Sequence, residues 1–343
     1  MSQGALLDRQ FGATPVTVVA DSGEFIEGIE PFRRELLAHC YRMLGSLHDA
    51  EDLVQETYLR ASRSYAKFEG RSSLRTWLYR IATNVCLTAL AHRSRRVLPS
   101  GLGGPEPDRD AFPVPAGPEV CWLQPIPDAM MSRDPVDPAV VVAGRQDLRL
   151  ALIASMQYLP GRQRAVLILR DVLDFPATEV AVMLGTTTAA VKSTLQRART
   201  RLQDLALVAD DVAEPTGPEA RAVLDRYIEA FEHADATALQ HLLCGDATLE
   251  ATPFLTWFAG NDTCVPFLRL RVMGSPGDWR MLATRANGQP AAVCYTRDPS
   301  GDYQAYGVVV LTVTPGGISK IVSFGDSSLP PAFGFPAVLR AGL

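Results

Sequence analysis

Residues 158–202 read YLPGRQRAVLILRDVLDFPATEVAVMLGTTTAAVKSTLQRARTRL, and the apolar spacing and helix breakers of this stretch predict a helix-turn-helix. Pro176 begins a short helix and Gly185 ends it. Thr187 or Thr188 caps a second helix. The inward side chains of that helix recur at intervals of 4, 3 and 4 residues: Val191, Leu195, Ala198 and Leu202. Its other side is therefore free to contact a partner.

The second helix is basic and lies in a stretch without acidic residues, 180–203. In a helix-turn-helix that binds DNA, the N-terminal part of this helix enters the major groove and contacts base edges. The candidates for base contacts are Thr188, Ala189, Lys192, Ser193 and Gln196. Arg197, Arg199 and Arg201 are expected to neutralise phosphates. Helical hairpins with an intervening glycine also occur in proteins that bind no DNA, so this motif alone does not establish the function.

Another acid-free stretch, residues 70–105, contains a further amphipathic helix, for which Ser72 or Ser73 is the expected N-cap. Its predicted inward side chains are Leu74, Trp77, Leu78, Ile81, Ala82, Val85 and Ala89. Its predicted outward side chains are Arg75, Thr76, Tyr79, Arg80, Thr83, Asn84 and Thr88. A face that mixes guanidinium, aromatic and amide groups suits single-stranded DNA, because phosphate contacts and base stacking need these groups side by side. An ordinary solvated surface is the alternative.

The helix before it, which Asp49 is expected to open, has an acidic outer face. The outward side chains are Asp49, Glu51, Asp52, Gln55 and Glu56. Acids in the first turn of a helix suit its dipole, so one interpretation is a capped and solvated face. The competing interpretation is a docking face for a basic partner.

The formal net charge of −5 conceals a segregation of charge along the chain. Residues 24–96 hold 12 basic and 9 acidic residues, and residues 145–205 hold 9 and 5. Residues 97–144 hold 2 basic and 7 acidic residues, and residues 206–343 hold 9 and 15. Two cationic helical segments joined by an acidic linker are typical of a protein that holds a polyanion at two places, which points to DNA.

Other function classes are not indicated. The sequence shows neither an apolar run long enough for a membrane span nor a signal peptide, so we expect a cytoplasmic protein. The six cysteines are scattered singly, which favours reduced thiols over a zinc site or a disulfide framework. We expect neither a metal nor a cofactor.

Residues 49–96 resemble conserved domain 2 of bacterial extracytoplasmic-function (ECF) sigma factors, in the strings DAEDLVQETYLRA at 49–61 and SSLRTWLYRIATNVCLTALAHRSRR at 72–96. Residues 158–202 are similar to sigma domain 4. The resemblance implies binding to RNA polymerase core enzyme, at the β′ coiled coil and β, and assigns the β′ contact to Asp49, Asp52, Gln55 and Glu56. It assigns the −10 element of promoter DNA to Arg71, Arg75, Arg80 and Asn84. It assigns the −35 element to Thr188, Ala189, Lys192, Ser193, Gln196 and Arg197.

One position departs from the family pattern. Many relatives have Ser-x-Gly before the valine of the second helix, whereas this chain has Thr-Thr-Ala-Ala at 187–190. Because these residues lie where base edges are read, the promoter sequence is left open.

The linker, residues 97–144, is called the strap here; it is rich in proline and glycine, and we expect it to be extended, without a core of its own. In the family this linker threads through polymerase toward the active site and the RNA exit path. The insert CWLQPIPD at 121–128 places apolar side chains in the polar run. Trp122 and Leu123 either dock on a partner or pack on the nearest domain.

The remainder, called the tail, is expected to fold as an α+β domain over residues 215–335. Two helices are predicted at 219–243, and strands at 247–250, 267–273, 291–296, 305–314 and 318–324, with Gly-Gly at 316–317 making a hairpin. The tail resembles the SnoaL-like, NTF2-like cone, and ATRANGQPAAVCY at 283–295 resembles the tails of actinobacterial sigma factors of the sigma-G and sigma-J type. That resemblance implies modulation of activity in cis.

The NTF2-like cone also has enzymatic members, so catalysis and ligand sensing are weighed against a packing or regulatory module. The residues considered for acid-base chemistry are His233, His241, Asp246 and Asp326, and no spacing forces any pair of them together. Phe254, Trp257, Phe258 and Trp279 either line a pocket for a small molecule or belong to the core. We expect a packing or regulatory module rather than an enzyme.

The fold class expected for the whole chain is multidomain: two all-α helical domains and a C-terminal α+β SnoaL/NTF2-like cone. The expected organisation is a disordered segment 1–23, sigma domain 2 at 24–96, the strap, sigma domain 4 at 145–205, and the tail. The expected function is an ECF sigma factor that directs RNA polymerase to promoters, with no catalytic residues. The alternatives are a stand-alone helix-turn-helix regulator and a SnoaL-like enzyme or ligand sensor fused to a DNA-binding domain.

Overall fold

The computed structural model describes residues 28–70, 72–92, 94–131, 148–206 and 217–340. The disordered N-terminus expected at 1–23 and the −10 candidate Arg71 lie outside these residues. The described helices and strands give two helical domains followed by an α+β cone, which confirms the predicted fold class.

The first helical domain contains α1 (Arg33–Leu44), α2 (Leu47–Ser64) and α3 (Leu74–Leu90). Gly45 ends α1 in the left-handed conformation, with φ of 69°. The second helix begins two residues before the predicted Asp49, because the Ser46 hydroxyl accepts the Asp49 amide at 3.2 Å and caps the helix. Of the two candidate residues, Ser73 is the N-cap of α3, because its hydroxyl accepts the Thr76 amide at 3.0 Å.

The helix-turn-helix domain follows the sequence pattern closely. It contains α4 (Leu150–Met156), α5 (Gly161–Leu167), a wider helical turn at Ile168–Val172, α6 (Ala177–Met183) and α7 (Thr188–Ala206). Gly185 takes φ of 60° in the turn, and the Thr187 hydroxyl accepts the Ala190 amide at 3.2 Å. Three of the four predicted inward side chains of α7 are buried, namely Val191, Leu195 and Ala198, and Leu202 is partly exposed.

The strap belongs to the core, contrary to the expectation that it has none. Leu123 and Ile126 have 0% exposure and lie in one apolar cluster with α1, α5 and α7. The backbone amide of Leu123 donates to the carbonyl oxygen of Val97 at 2.9 Å, so this part of the strap lies beside the first residue of the strap. Of the two interpretations for Trp122 and Leu123, the structure therefore supports packing on the adjacent domains, at least for Leu123.

Within residues 217–340, the tail is a seven-stranded mixed sheet in the order β2-β1-β6-β5-β4-β3, with β7 paired to β5. The strands are β1 (Leu243–Thr252), β2 (Trp257–Ala259), β3 (Trp279–Ala286), β4 (Gln289–Arg297), β5 (Tyr303–Thr314), β6 (Gly317–Phe324) and β7 (Val338–Leu339). Only the β1–β6 pairing is parallel among these described strands. The turn at 316–317 joins β5 and β6, as predicted.

The tail helices are α8 (Gly217–Glu232), α9 (Ala236–Leu242), α10 (Asn261–Arg271) and the single turn α11 (Leu329–Ala332). The strand predicted at 267–273 is wrong, since most of this segment is the second half of α10. Cys264, Val265, Phe267 and Leu268 are buried against the sheet. A short apolar run does not reveal its period from sequence alone, and the packing of this one requires a helix.

Both faces of the central strands are covered, which explains the unbroken apolar run in β4. Ala292 and Cys294 face the cluster formed with the tail helices. Ala291, Val293 and Tyr295 face the cluster that contains the two helical domains. Since successive residues of a strand point to opposite faces, the tail uses one face for its own core and the other for the rest of the molecule.

The burial of Leu123 predicts a large effect of truncation. Leu123→Ala should lower the free energy of unfolding by about 2–5 kcal/mol, because a cavity remains among packed apolar side chains. Leu102→Ala, in the same strap but at a side chain that is 45% exposed, should cost less than about 0.5 kcal/mol. Urea titration followed by circular dichroism measures both, and equal effects would refute the packing role of Leu123.

Candidate nucleic-acid and polymerase surfaces

The outer face of α7 is open, as the helix-turn-helix pattern predicts. Lys192, Ser193 and Gln196 are exposed on its N-terminal half, together with Ala189, and Thr188 is partly exposed. These side chains therefore stand together on one accessible surface that can enter a major groove.

The arginines of α7 differ in the side chains that they contact. Arg197 contacts hydroxyls of its own helix, with Nη1 donating to Ser193 Oγ at 2.8 Å. Arg199 instead makes a two-pronged ion pair with Asp171, at 2.8 and 2.7 Å. The Arg199 guanidinium thus ties α7 to the preceding helical turn, while Arg197 keeps its charge on the open face.

The corresponding face of α3 is covered in part. The Arg75 guanidinium lies over the rings of Tyr79 and Phe175, at 5.0 and 4.8 Å from their centroids, and its Nε donates to Glu35 at 2.8 Å. Burial lowers the pKa of Arg75, but the hydrogen bond and charge of Glu35 outweigh it and the net shift is upward. Phe175 belongs to the helix-turn-helix domain, so this −10 candidate is engaged between the two helical domains.

Further contacts join α3 to α6. Thr76 Oγ1 donates to Glu179 at 3.0 Å, and Asn84 Nδ2 lies 3.5 Å from the carbonyl oxygen of Met183. Arg80 is exposed. Of the −10 candidates that the structure describes, Arg75 and Asn84 contact the helix-turn-helix domain and Arg80 faces solvent.

The predicted outward position of Tyr79 and Thr83 is wrong. Both side chains have 0% exposure. Tyr79 meets Phe175 edge to face with ring centroids 5.1 Å apart, and Thr83 Oγ1 lies 2.9 Å from His39 Nε2. Helical spacing places Tyr79 outside because it does not show that Phe175 of the helix-turn-helix domain packs on the same helix. Thr83 is buried because α1 of its own domain also covers this side of α3.

The acidic face of α2 is only partly open. Asp52 and Gln55 are exposed, and Glu56 accepts from Arg60 one turn later at 2.6 Å. Asp49 is different: its side chain is 14% exposed and pairs with Arg96 at 2.5 Å. The same Arg96 donates to the carbonyl oxygen of Trp122, which ties Asp49 to the strap.

A single hairpin tip connects all parts of the molecule. Asn287 stands between β3 and β4 with 0% exposure and φ of 55°, followed by Gly288 at 72°. Its Nδ2 donates to Tyr41 Oη of α1 at 2.8 Å and to the carbonyl oxygen of Leu148, just before α4, at 2.7 Å. Its Oδ1 accepts the Ile126 amide of the strap at 3.0 Å. The side-chain amide therefore contacts both helical domains and the strap at once.

Residues beside Asn287 reinforce this junction. Gln289 Oε1 accepts the Leu150 amide at the start of α4 at 3.0 Å. Asp128 of the strap accepts the Gly288 amide at 2.7 Å and pairs with Arg285 at 3.1 Å. Sequence reasoning missed this site: Asn-Gly is a signal for a tight hairpin, but it does not show what the tip touches.

The tail encloses an apolar cavity of about 440 Å³ between the sheet and its helices. Three of the four aromatic candidates, Phe254, Phe258 and Trp279, line it. Trp257 points elsewhere and donates from Nε1 to the carbonyl oxygen of Gly103 in the strap at 2.9 Å.

The residues weighed for catalysis are not gathered in the cavity. His233 and His241 border a separate open groove on α8 and α9, while Asp326 accepts the Ser328 amide at 3.0 Å in a turn. None of the four lines the cavity, and no aspartate, glutamate or histidine does among the residues that the structure describes. The geometry therefore provides no carboxylate or imidazole for proton transfer there.

Two broader searches concern metals and membranes. In the described ranges, no group of three or more His, Cys, Asp or Glu side chains is placed to hold a metal ion. None of the helices in those ranges combines the length and apolarity required of a membrane span.

Comparison with known proteins agrees with both helical domains. The family models Sigma-70 region 2 and Sigma-70, region 4 match residues 29–96 and 149–202. The ECF RNA polymerase sigma factor SigG of Mycobacterium tuberculosis is 50% identical over 317 residues, covering 92% of this chain and 84% of SigG. SigJ of the same organism is 27% identical over 251 residues, and the match covers 71% of this chain and 72% of SigJ.

The arrangement of the whole chain also has a counterpart. The crystal structure of the Mycobacterium tuberculosis ECF sigma factor SigJ has a TM-score of 0.55 at 23% identity, covering 91% of this chain and 99% of that one. This likeness concerns the fold. Because half of the aligned residues are identical to those of SigG over 92% of this chain, the chain belongs to the ECF family of RNA polymerase sigma factors.

Proposed function

We propose that this sigma factor is held in a closed state by its own tail, and that release of the tail frees the two helical domains to bind promoter DNA on RNA polymerase. The directing of polymerase to promoters is the function of the family. The proposal concerns how this chain controls it, and the contacts of Asn287 carry the argument.

The closed arrangement joins two domains that promoter binding must separate. The −10 and −35 elements are separated by about 25 base pairs, or about 85 Å of B-form DNA at 3.4 Å per base pair. In this structure α3 packs directly on α6, with Thr76 hydrogen-bonded to Glu179. Because the two helical domains cannot pack against each other and occupy elements that far apart, binding to both elements requires them to move apart.

The tail stabilises the closed arrangement mainly through neutral contacts. Beside the ion pair of Arg285 with Asp128, its main contacts are the apolar outer face of β4–β6 and the amides of Asn287 and Gln289. A buried amide that loses its partners costs about 1–3 kcal/mol, so the junction favours an all-or-none release. Salt is therefore expected to affect DNA binding more than closure.

We further propose the roles of the exposed residues. Asp52, Gln55 and Glu56 bind the β′ coiled coil of core polymerase, with Asp49 positioning the strap through Arg96. Arg75, Arg80 and Asn84 bind the −10 strand after opening, together with Arg71. The open face of α7 reads the −35 element with Thr188, Ala189, Lys192, Ser193, Gln196 and Arg197.

The proposal extends to partners and location. The partners are core polymerase at β′ and β, promoter DNA, and a small molecule bound by the tail, and the site of action is the cytoplasm. The tail performs no turnover. Its cavity has no aspartate, glutamate or histidine among the described lining residues, which supports regulation over catalysis.

The first test removes the side-chain amide of Asn287, which joins the tail to the strap and to both helical domains. Asn287→Gly keeps the left-handed hairpin tip, because glycine adopts positive φ freely, but deletes the side-chain hydrogen bonds. If each bond contributes about 0.5–1.5 kcal/mol, the open fraction should rise by at least about tenfold. We expect more run-off transcript from limiting core polymerase.

The matched control is Asn261→Gly, because the Asn261 amide donates only to Gln240 and Leu243 within the tail. Transcription by this variant should equal that of the wild type. If Asn287→Gly gives no more transcript than Asn261→Gly, the closed-state proposal is refuted.

A second test addresses α7. Replacing Lys192 and Arg197 by alanine should weaken binding to a −35 duplex and reduce the slope of log K against log salt by about one for each lost phosphate contact. Arg221→Ala with Arg226→Ala, on the exposed side of α8, removes the same charge from the tail. An unaltered slope in the α7 variant, or an equal change in the α8 variant, would count against the assignment.

A third test addresses the acidic face of α2. Asp52→Ala with Glu56→Ala should reduce affinity for core polymerase by at least about tenfold and leave binding to a −35 duplex unchanged, since both carboxylates lie on α2, outside the helix-turn-helix domain. Asp225→Ala with Glu229→Ala removes two exposed acids at the same spacing from α8. Equal affinity of the two variants for core enzyme would contradict the docking role.

A further inference from the structure

The cavity in the tail has the size and enclosure of a small-molecule site. Its volume of about 440 Å³ falls in the range of drug-sized ligand pockets, about 300–1,000 Å³. The walls come from the inner face of the sheet, from α8 and α10, and from two residues of the strap, Phe112 and Pro113. An apolar space of this size gains stabilising contacts when an apolar ligand fills it.

The lining is aromatic and nearly uncharged. Phe231 meets Trp279 edge to face at 5.9 Å, and Trp279 meets Tyr306 in the same way at 5.1 Å. Arg271 is the only charged side chain among the described residues of the wall, and it is engaged at the rim. An ionic ligand would lose its hydration between aromatic walls, and the one charge of these walls lies at the rim, so the lining favours a neutral ligand.

The wall of the cavity includes a hydrogen-bond donor, the hydroxyl of Tyr227. Tyr227 is 2% exposed and lines the cavity. Burial raises the pKa of this hydroxyl further above its ordinary value, so it stays protonated and able to donate. A ligand oxygen or nitrogen that accepts from this hydroxyl gains a hydrogen bond shielded from water.

The strap closes the mouth of the cavity. Its residues 114–116 pair with the loop after β1: the Val114 amide donates to Thr256 Oγ1 at 2.8 Å, and the Ala116 amide donates to the carbonyl oxygen of Pro253 at 2.9 Å. The Arg271 guanidinium lies 3.9 Å from the ring centroid of Phe112 and donates to the carbonyl oxygen of Asp110 at 3.0 Å. The rim arginine therefore holds the strap in place over the cavity.

We propose that the cavity is a binding site for an uncharged, mainly apolar ring compound that accepts one hydrogen bond from Tyr227, with Phe112 of the strap as its lid. The aromatic walls favour stacking on flat rings. The lid belongs to the segment that continues to Leu123 and Ile126 in the core of the helical domains. A ligand under Phe112 thus fastens the strap to the tail and stabilises the closed state, a consequence that rests on the function proposed above.

The experiment measures binding to the full chain without polymerase. Nile red is a neutral ring compound whose fluorescence rises in apolar surroundings, and it should bind saturably at one site per chain. Anilinonaphthalene sulfonate, which carries a negative charge, should bind at least about tenfold more weakly. Equal binding of the two dyes, or no saturable site for Nile red, would overturn the proposal.

Two variants locate the site. Phe112→Ala removes the lid from an exposed position, where the fold does not depend on it, and should weaken Nile red binding at least about fivefold. Ala251→Phe fills the cavity from β1 and should abolish binding, and its folding is checked by circular dichroism. Leu102→Ala, at another exposed apolar residue of the strap, should bind as the wild type does. If Phe112→Ala binds as tightly as Leu102→Ala, the lid is refuted whether or not Ala251→Phe folds.

The regulatory consequence is measured separately. Saturating Nile red should reduce run-off transcription by the wild type and have little effect on Asn287→Gly, whose closed state is already weakened. Binding without an effect on the wild type would overturn the regulatory consequence alone. Absence of saturable binding would overturn the site even if Asn287→Gly raises transcription.

Discussion

The closed arrangement depends on one buried side-chain amide that has to be satisfied from three directions. Asn287 stands at a left-handed hairpin tip, where its donors reach Tyr41 and Leu148 and its acceptor reaches Ile126. A buried amide is costly when any of its hydrogen bonds is missing, so the first helical domain, the strap and the helix-turn-helix domain are held together or released together. The surrounding apolar contacts add stability, but they are less directional than these hydrogen bonds and so fix the relative position of the domains less strictly.

Under the proposed closed state, promoter recognition is a competition. Arg75 and Asn84 have the chemistry to contact a single strand, and in this structure they contact Phe175 and Met183 instead. The face of α7 is open, so the proposal treats the two DNA-binding surfaces unequally. The proposed −35 surface would be accessible before release, whereas the proposed −10 surface would become fully available only when α3 and α6 separate.

The strap links this competition to the tail cavity. Within the described segment 94–131, the Gln124 amide of the strap donates to the carbonyl oxygen of Gly45 in the first helical domain, Phe112 lines the cavity, and Leu123 lies in the core. The prolines of the strap restrict the backbone and make the segment semi-rigid. β4 acts similarly: Cys294 lines the cavity, and its neighbour Tyr295 packs against the helical domains.

The sequence by itself determined the helices, the turn at Gly185, the open face of α7 and the α+β tail, because these follow from local periodicity and backbone preference. It failed where distant segments meet: 267–273 is mostly helix, Tyr79 and Thr83 are buried, Asp49 is paired with Arg96, and Leu123 lies in the core. Only the tertiary structure decided that Asn287 joins the domains and that Phe112 covers a cavity. Periodicity reports which side of an element is apolar, whereas the partner on each side is set by segments that lie far from it along the chain, from about forty to more than two hundred residues in these examples.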